Sequence, residues 1–420
     1  MRSISLGALL VLLSLFSQPA AAYGGDWPQF LGPDRNGISP ETGLLQSLSP
    51  ESAKTVWKTP LGVGMSGIAI SSNIACTLYQ TDTEQLAVAL NAETGKPIWQ
   101  TPLAPAYENS MGNGPRATPA ISNGKVFVYT GEGILAALNL KDGKLLWSVN
   151  VPKSLGGQPN EYGCSCSPLV TDKLVIVQSG TAAAQTAAWN IDTGKLAWKA
   201  GSGNAGYSSP ILATLAGRRQ VVVFNASGAS GLDPQTGSEL WNYEFPTEYD
   251  CNTATPVILN ETQLLISAGE NHGAVILELS ADGNSLTAKE IWQSLGKDSQ
   301  LRAEWQTPVV HEGHVYALDN SGSAGPITNL VCVRLSDHKT VWQKPRFGKS
   351  NLILADGRLW LTNMDGEVIL IAASPAGFKE LGRMPVLQTT RQAPSLANGL
   401  LYVRDDEHIV CLQVSAGGKR

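Results

Sequence analysis

The chain has 420 residues with a net charge of -5, and only 15% of its residues are charged while 43 are glycine. No Lys/Arg cluster accompanies that acidic balance, which argues against nucleic acid as a partner. Low charge and abundant glycine favour many short strands joined by tight turns.

Met1 to Ala22 carries one basic residue, Arg2, then the apolar run Leu6 to Phe16, Pro19 and three consecutive alanines. That pattern is expected to be a secretory signal peptide cleaved after Ala22, because the run is shorter than the about 18 residues a membrane span needs. The mature protein is therefore expected to be periplasmic or otherwise exported. The first cysteine after the leader is Cys76, so no lipoprotein cysteine stands at the mature N-terminus. Residues 23–50 are rich in Gly and Pro and show neither the helical nor the strand period, which predicts an irregular segment lying over the folded body.

A repeat dominates the rest of the chain. Asn91 to Trp99 (NAETGKPIW) returns as Asn139 to Trp147, Asn190 to Trp198 and Asp233 to Trp241, and in worn form as Arg334 to Trp342. Each copy ends an apolar run, turns, and restarts into a strand that finishes on Trp, which is hairpin chemistry. Trp57, Trp99, Trp147, Trp198, Trp241, Trp292 and Trp342 are spaced by 42 to 51 residues, a period that signals a repeat architecture. A second mark, a Pro after Thr, Ser or Ala (119, 168, 210, 256, 308 and 394), opens each unit, since Pro is tolerated in a sheet only at a strand beginning or an edge.

Four antiparallel strands per unit, repeated, predict an all-β fold, an eight-bladed β-propeller over residues 51–414 with a tail at 415–420. The last unit has only three strands of its own. The lone strand around Trp57 is expected to supply the fourth and close the ring, removing exposed sheet edges. The seven tryptophans are read as scaffold, each covering the gap between its blade and the next.

Cys332 and Cys411 align with Ala89, Ala137, Ala188 and Gly231, so they are read as small packing residues. Cys164 and Cys166 could form a local disulfide or a soft-metal pair. His311-Glu312-Gly313-His314 aligns with hairpin turns in other units and is read as a solvated turn. No nucleophile elbow, phosphate-binding loop or HExxH is present.

The strand, Thr/Asp-Gly-Lys turn and Trp resemble the docking signature of the pyrroloquinoline quinone (PQQ)-like propeller superfamily. The opening Asp26-Trp27-Pro28-Gln29-Phe30, with Gly32-Pro33-Asp34-Arg35-Asn36-Gly37, also resembles the start of those chains. The resemblance implies the propeller and two possible functions. In the quinoprotein dehydrogenase branch, PQQ sits in the central funnel beside calcium, a catalytic Asp and a disulfide between neighbouring cysteines. Here Ser165 separates Cys164 from Cys166, no CxxCH is present, and no positions match the calcium ligands or the catalytic Asp. The other branch, the outer-membrane assembly factor BamB, is a cofactor-free propeller that docks proteins. The expected function is a non-catalytic scaffold docking a protein or peptide in the cell envelope, with no cofactor; PQQ with calcium belongs to the alternative, an oxidoreductase.

In a propeller the connections into each innermost strand gather at one mouth of the channel, and loops on a rigid scaffold carry binding residues. Those connections hold Tyr107, Arg116, Tyr162, Tyr207, Tyr249, Asp250, Arg302, Trp305, Lys349 and Arg391, a set of aromatic and charged groups suited to anchoring a partner.

Overall fold

The computed structural model describes residues 25–283, 285–322 and 327–417. The expected signal peptide, and the last three residues of the expected tail, lie outside these. Among the described residues the strands form eight antiparallel sheets of four strands, one of which gains a short fifth. In chain order the blades cover residues 69–105, 120–150, 169–200, 211–244, 257–295, 309–344, 350–385 and 395–413. The strand Thr55–Pro60 pairs antiparallel with His408–Gln413 and completes blade 8, with Trp57 opposite Cys411. The eight blades and the closure by an N-terminal strand are as the repeat predicts.

Burial explains the strand sequences. The two middle strands of a blade are covered on both faces by neighbouring blades, so Lys125–Tyr129 and Ile134–Asn139 read as continuous apolar runs buried almost throughout. Outermost strands alternate, as in Thr55–Pro60, where Trp57 is buried between exposed neighbours. In blades 1, 2, 4, 6, 7 and 8 the first and second strands are joined by two-residue turns with both residues at positive φ, such as Asn123 (51°) and Gly124 (70°), the geometry that matches strand twist. Glu312 (45°) and Gly313 (73°) occupy the same turn in blade 6, which places the two flanking histidines in a hairpin.

Two belts join the blades. The outer one uses the tryptophans: the indole N–H of Trp57, Trp99, Trp147 and Trp198 donates to the carbonyl of Ala92, Leu140, Ile191 and Pro234 in the next blade at 2.9 to 3.1 Å. Its ring lies flat on that blade's turn glycine. A Cβ on Gly95, Gly143, Gly194 or Gly237 would come within 2.5 to 2.7 Å of the indole, and all four glycines have φ near +70°. Gly is thus required twice over, by backbone conformation and by the ring above it. On its own blade six of the seven Trp face a small residue: Ala89, Ala137, Ala188, Gly231, Cys332 and Cys411 lie opposite Trp99, Trp147, Trp198, Trp241, Trp342 and Trp57, while Trp292 lies opposite Ile276. Both cysteines are fully buried there.

Four seams depart from this pattern, each for a visible reason. Trp342 keeps the indole bond, to the Ser374 carbonyl at 2.8 Å, but meets the edge of Phe378 instead of a glycine. Blade 5 ends in a long hairpin, Gly273–Asp282 and Ser285–Leu295, in place of the glycine turn. Trp241 is packed with Leu279 and Leu286 of that hairpin and donates to Gln220 of its own blade. Trp292 stacks on His338, which holds the glycine's place, with ring centroids 5.1 Å apart. Blade 7 has no Trp in its outermost strand; Gly382 there admits the backbone of Leu48, whose N–H bonds Leu381 at 3.0 Å.

The inner belt is built by the residue before each proline. The backbone N–H of Gly67, Thr118, Ser167 and Thr255 donates to the hydroxyl of Thr118, Ser167, Ser209 and Thr307, one blade further on, at 2.9 to 3.2 Å. Across the closure, Ser395 donates to Ile68 at 2.7 Å. Edge N–H groups of the innermost strands are thereby satisfied by the neighbouring blade.

The irregular N-terminal segment crosses the end of the ring that carries the first turns. Trp27 exchanges two backbone hydrogen bonds with Ile70 of blade 1, and Pro28 accepts from Ile121 of blade 2. The buried Arg35 guanidinium donates to the carbonyls of Ser167 and Pro168 of blade 3, both at 3.0 Å. Ile38–Ser39 then pairs parallel with Leu354 and Ala355 of blade 7, and the Glu41 carboxylate accepts from Asn398 and Gly399 of blade 8. The segment spans that end of the ring, from blades 1, 2 and 3 to blades 7 and 8.

Because ring and glycine form one contact from opposite sides, either side should weaken it. Trp99→Ala is expected to lower unfolding free energy by about 3–5 kcal/mol, and Gly143→Ala to destabilise the same seam although it only adds a methyl group. Denaturant unfolding of both variants checks this; a Gly143→Ala protein as stable as the parent would contradict the stacking account.

Candidate functional site

The opposite end of the ring is left to the connections between blades, and here the anchoring residues of the sequence fall into three groups. On the blade 1–2 connection Arg116 lies over the Tyr107 ring, 5.1 Å from its centroid, and donates to the carbonyls of Gly112 and Gly114 at 2.7 and 2.6 Å. Burial lowers its pKa. Arg116 therefore shapes its own loop, which Asn109 ties to the Glu161 carbonyl and Arg391 ties, through the Met111 carbonyl, to blade 8.

A second group joins blades 3, 4 and 5. The Tyr162 and Tyr207 rings lie 5.7 Å apart, and the Tyr207 hydroxyl accepts from the Tyr162 N–H at 3.3 Å. Burial raises the Tyr207 pKa. Tyr249 and Asp250 both take left-handed backbone conformations, φ 58° and 57°. That turn leaves Tyr249 64% exposed, while Asp250 accepts from Asn204 at 2.8 Å. Backbone strain of this kind in residues other than glycine is found where surroundings hold a side chain for a task.

The third group surrounds Trp305, 41% exposed. The Lys349 ammonium sits 4.0 Å from its ring centroid and pairs with Glu304 at 3.2 Å, and the Arg391 guanidinium stands 6.0 Å from the same ring. A small cavity of about 70 Å³ opens beside Arg391, lined by Met65, Gly112, Asn113, Thr389, Gln392 and Asp406. Arg302 does not join the group. It is buried and held by both carboxylate oxygens of Asp319 at 2.7 Å, a structural pair under the mouth.

Sequence reasoning missed Met65, Met111, Glu270 and Glu304. The first two sit among glycines without strand or helix period, and the carboxylates become visible only once neighbouring blades are placed. Cys251 reads in the sequence as an isolated cysteine; it lies at the mouth, half-buried, directly after the Tyr249-Asp250 turn. Burial, and after it the charges of Glu270, Glu304, Asp250 and Glu161, push its pKa up to about 12.

The residues do not fit the calcium and quinone set of the dehydrogenase branch. Cys164 and Cys166 are buried free thiols, and the Cys166 sulfur accepts from the Gln178 N–H at 3.3 Å. Asp250, Glu304 and Asp319 are each engaged by a separate partner. Among the described residues no three His, Cys, Asp or Glu side chains come together as metal ligands.

Comparison with known proteins matches residues 41–156 and 105–297 to the family described as outer membrane protein assembly factor BamB. The chain is 22% identical over 355 residues to the BamB protein of Yersinia pestis, covering 82% of this chain and 86% of that one. Among solved structures, quinohemoprotein alcohol dehydrogenase from Comamonas testosteroni superposes with a TM-score of 0.68 at 15% identity, over 95% of this chain and 82% of that one. BamB from Moraxella catarrhalis does so with 0.60 at 16% identity, over 86% and 99%. At such identities the structural likeness establishes the fold.

A thiol whose pKa is raised stays protonated through the range where an ordinary cysteine, near 8.5, ionises, and the thiolate is the reactive form. Native Cys251 should accordingly alkylate at pH 8.5 at least about tenfold more slowly than a free cysteine, despite its partial exposure. Timed iodoacetamide labelling with peptide mass spectrometry reads this, and labelling at the free-cysteine rate would contradict the placement of the carboxylates.

Proposed function

The chain belongs to the family of the outer membrane protein assembly factor BamB, and from that premise we propose that its open mouth docks an extended protein segment in the cell envelope without catalysing a reaction. The observation that carries this reading is the contrast between the two ends of the ring. The N-terminal segment crosses one end from blades 1, 2 and 3 to blades 7 and 8. The other presents Met111, Tyr249 and Trp305, each more than 40% exposed, with Arg391 and Lys349 between them. Large exposed aromatic and Met side chains beside Arg are interface anchors, and their irregular placement suits one ligand crossing several blades. In this reading the leader directs export and is removed after Ala22, and the mature protein works in the periplasm.

Hydrolysis and redox chemistry have weaker support. Among the described residues the mouth offers no nucleophile activated by a neighbouring base. A quinone-dependent oxidoreductase would need the protein to bind and polarise the quinone, and the groups the family uses for that are not matched.

Changing Met111, Trp305 and Arg391 together to Ala is expected to reduce recovery of a bound envelope protein at least about tenfold, while costing about 1–2 kcal/mol of stability, since exposed positions contribute little. Trp147→Ala should do the reverse. A triple variant that keeps the partner would move the docking surface elsewhere. Separately, added PQQ and Ca²⁺ should produce no oxidation of alcohols or sugars with an artificial acceptor; turnover requiring both would favour the oxidoreductase.

A further inference from the structure

The mouth is not electrostatically uniform. On its blade 8, 1 and 2 side Arg391 and Arg116 stand with carboxylates already bound by protein donors, Asp406 by the Gly64 N–H and Glu132 by Gln85, whereas the blade 3 to 6 side gathers carboxylates while its own Arg302 is held by Asp319. Glu161, Asp250 and Glu270 make no ion pair among the described residues, and Glu304 makes one, with Lys349. These carboxylates come from four different loops, which the ring brings together: the Thr253 hydroxyl donates to the Glu304 carbonyl, and the Glu304 side chain packs on Gly269. That side carries an excess of negative charge.

An independent observation points to a missing counterpart. Glu304 is only 6% exposed, and its Oε2 has no hydrogen-bond partner among the described residues. Its other oxygen is the one that pairs with Lys349. The carboxylate lies against Gly269, where a Cβ would come within 3.2 Å of Oε2, and so beside Glu270. A buried carboxylate oxygen left without a donor carries a desolvation cost that a donor arriving with a ligand would relieve.

The same side supplies aromatic faces. Tyr162 and Tyr207 form a tilted pair, and Tyr249 projects into solvent from a backbone conformation that few residues other than glycine adopt. Aromatic faces combined with carboxylates recognise organic cations, the ring quadrupole and the charge acting on the same group. The protein already uses this arrangement internally, where the Lys349 ammonium lies over the Trp305 ring and pairs with Glu304. A metal ion is the poorer fit, since no three ligating side chains converge among the described residues.

We propose that the sector of the mouth formed by Tyr162, Tyr207 and Tyr249 with Glu270 and Glu304 receives a lysine or arginine side chain of the docked segment. This deepens the docking reading and rests on it. The charge division gives the segment a direction: its cationic residue lies over blades 3 to 5, and its carboxylate or carbonyl groups turn toward Arg391. A segment bound in the reverse sense would place like charges together at both ends.

The test uses the full-length mature protein and dye-labelled extended peptides of Gly-Lys repeats, the Gly-Glu counterpart, and the Gly-Lys peptide with acetylated lysines, read by fluorescence anisotropy at physiological salt. Gly-Lys should bind at least about tenfold more tightly than either of the others, a difference of about 1.4 kcal/mol. Tyr249→Ala with Glu270→Gln should remove that preference without lowering the melting temperature, and Glu239→Gln, an exposed carboxylate on the rim of blade 4, should leave it intact. Equal binding of the three peptides, an effect of Glu239→Gln as large as that of the paired change, or binding of Ca²⁺ that Gly-Lys does not compete with would overturn the proposal. The docking reading fails separately. If the Met111, Trp305 and Arg391 variant loses its partner while the peptides are not discriminated, docking stands and the cation site falls; if the peptides are discriminated but that variant keeps its partner, the cation site stands and docking through the mouth falls.

Discussion

The seam between neighbouring blades is the contact on which everything else in this protein depends. A four-stranded sheet alone buries too little to be stable, so each blade must be held face to face with the next. The seam is fixed at two radii. Outside, an indole rests on a glycine and donates to a carbonyl close to it in the same turn, which sets both the distance and the angle of the following blade. Inside, a hydroxyl next to a proline takes the N–H of the preceding blade. Pinning at two radii leaves little freedom to pivot, and a closed ring results.

Closure frees one end of the channel for other uses by consuming the other. The N-terminal segment uses Arg35 and Glu41 as cross-pieces, satisfying carbonyls and amides that belong to blades on opposite sides of the ring. Burial lowers the Arg35 pKa to about 10, still far above neutrality, so the guanidinium stays charged and its hydrogen bonds persist. The chain then supplies the fourth strand of blade 8. A segment that reads as loop in the sequence is in this way part of the fold's framework, and the mouth on the far side inherits a rigid platform.

Much of this was legible because repetition reports on scaffold. The Gly-Lys turn and the Trp marked the blades, their number and the docking role of the indole, and the small-residue slot identified Cys332 and Cys411 as packing residues. What repetition could not reveal were contacts made once. Nothing in the sequence marks Arg35 as a residue that crosses the ring, or separates Arg302, locked to Asp319, from Arg391 on the neighbouring loop surface. The anomalous seams had faint signals: the Asp282-Gly283 turn of blade 5 lies farther from its Trp than in other blades, and His338 stands where glycine was due. The charge division of the mouth was invisible because its members lie on four loops whose proximity only the ring creates.

A ring made rigid by its seams, and crossed at one end by the N-terminal segment, presents its irregular residues at the other. The most direct test places a photo-crosslinking amino acid at Trp305 in the mouth and, in a second protein, at Leu145 on the outer rim, both functional in the cell envelope. The account predicts crosslinks to a partner protein from position 305 and none to that partner from position 145. Crosslinks from the rim alone would contradict it.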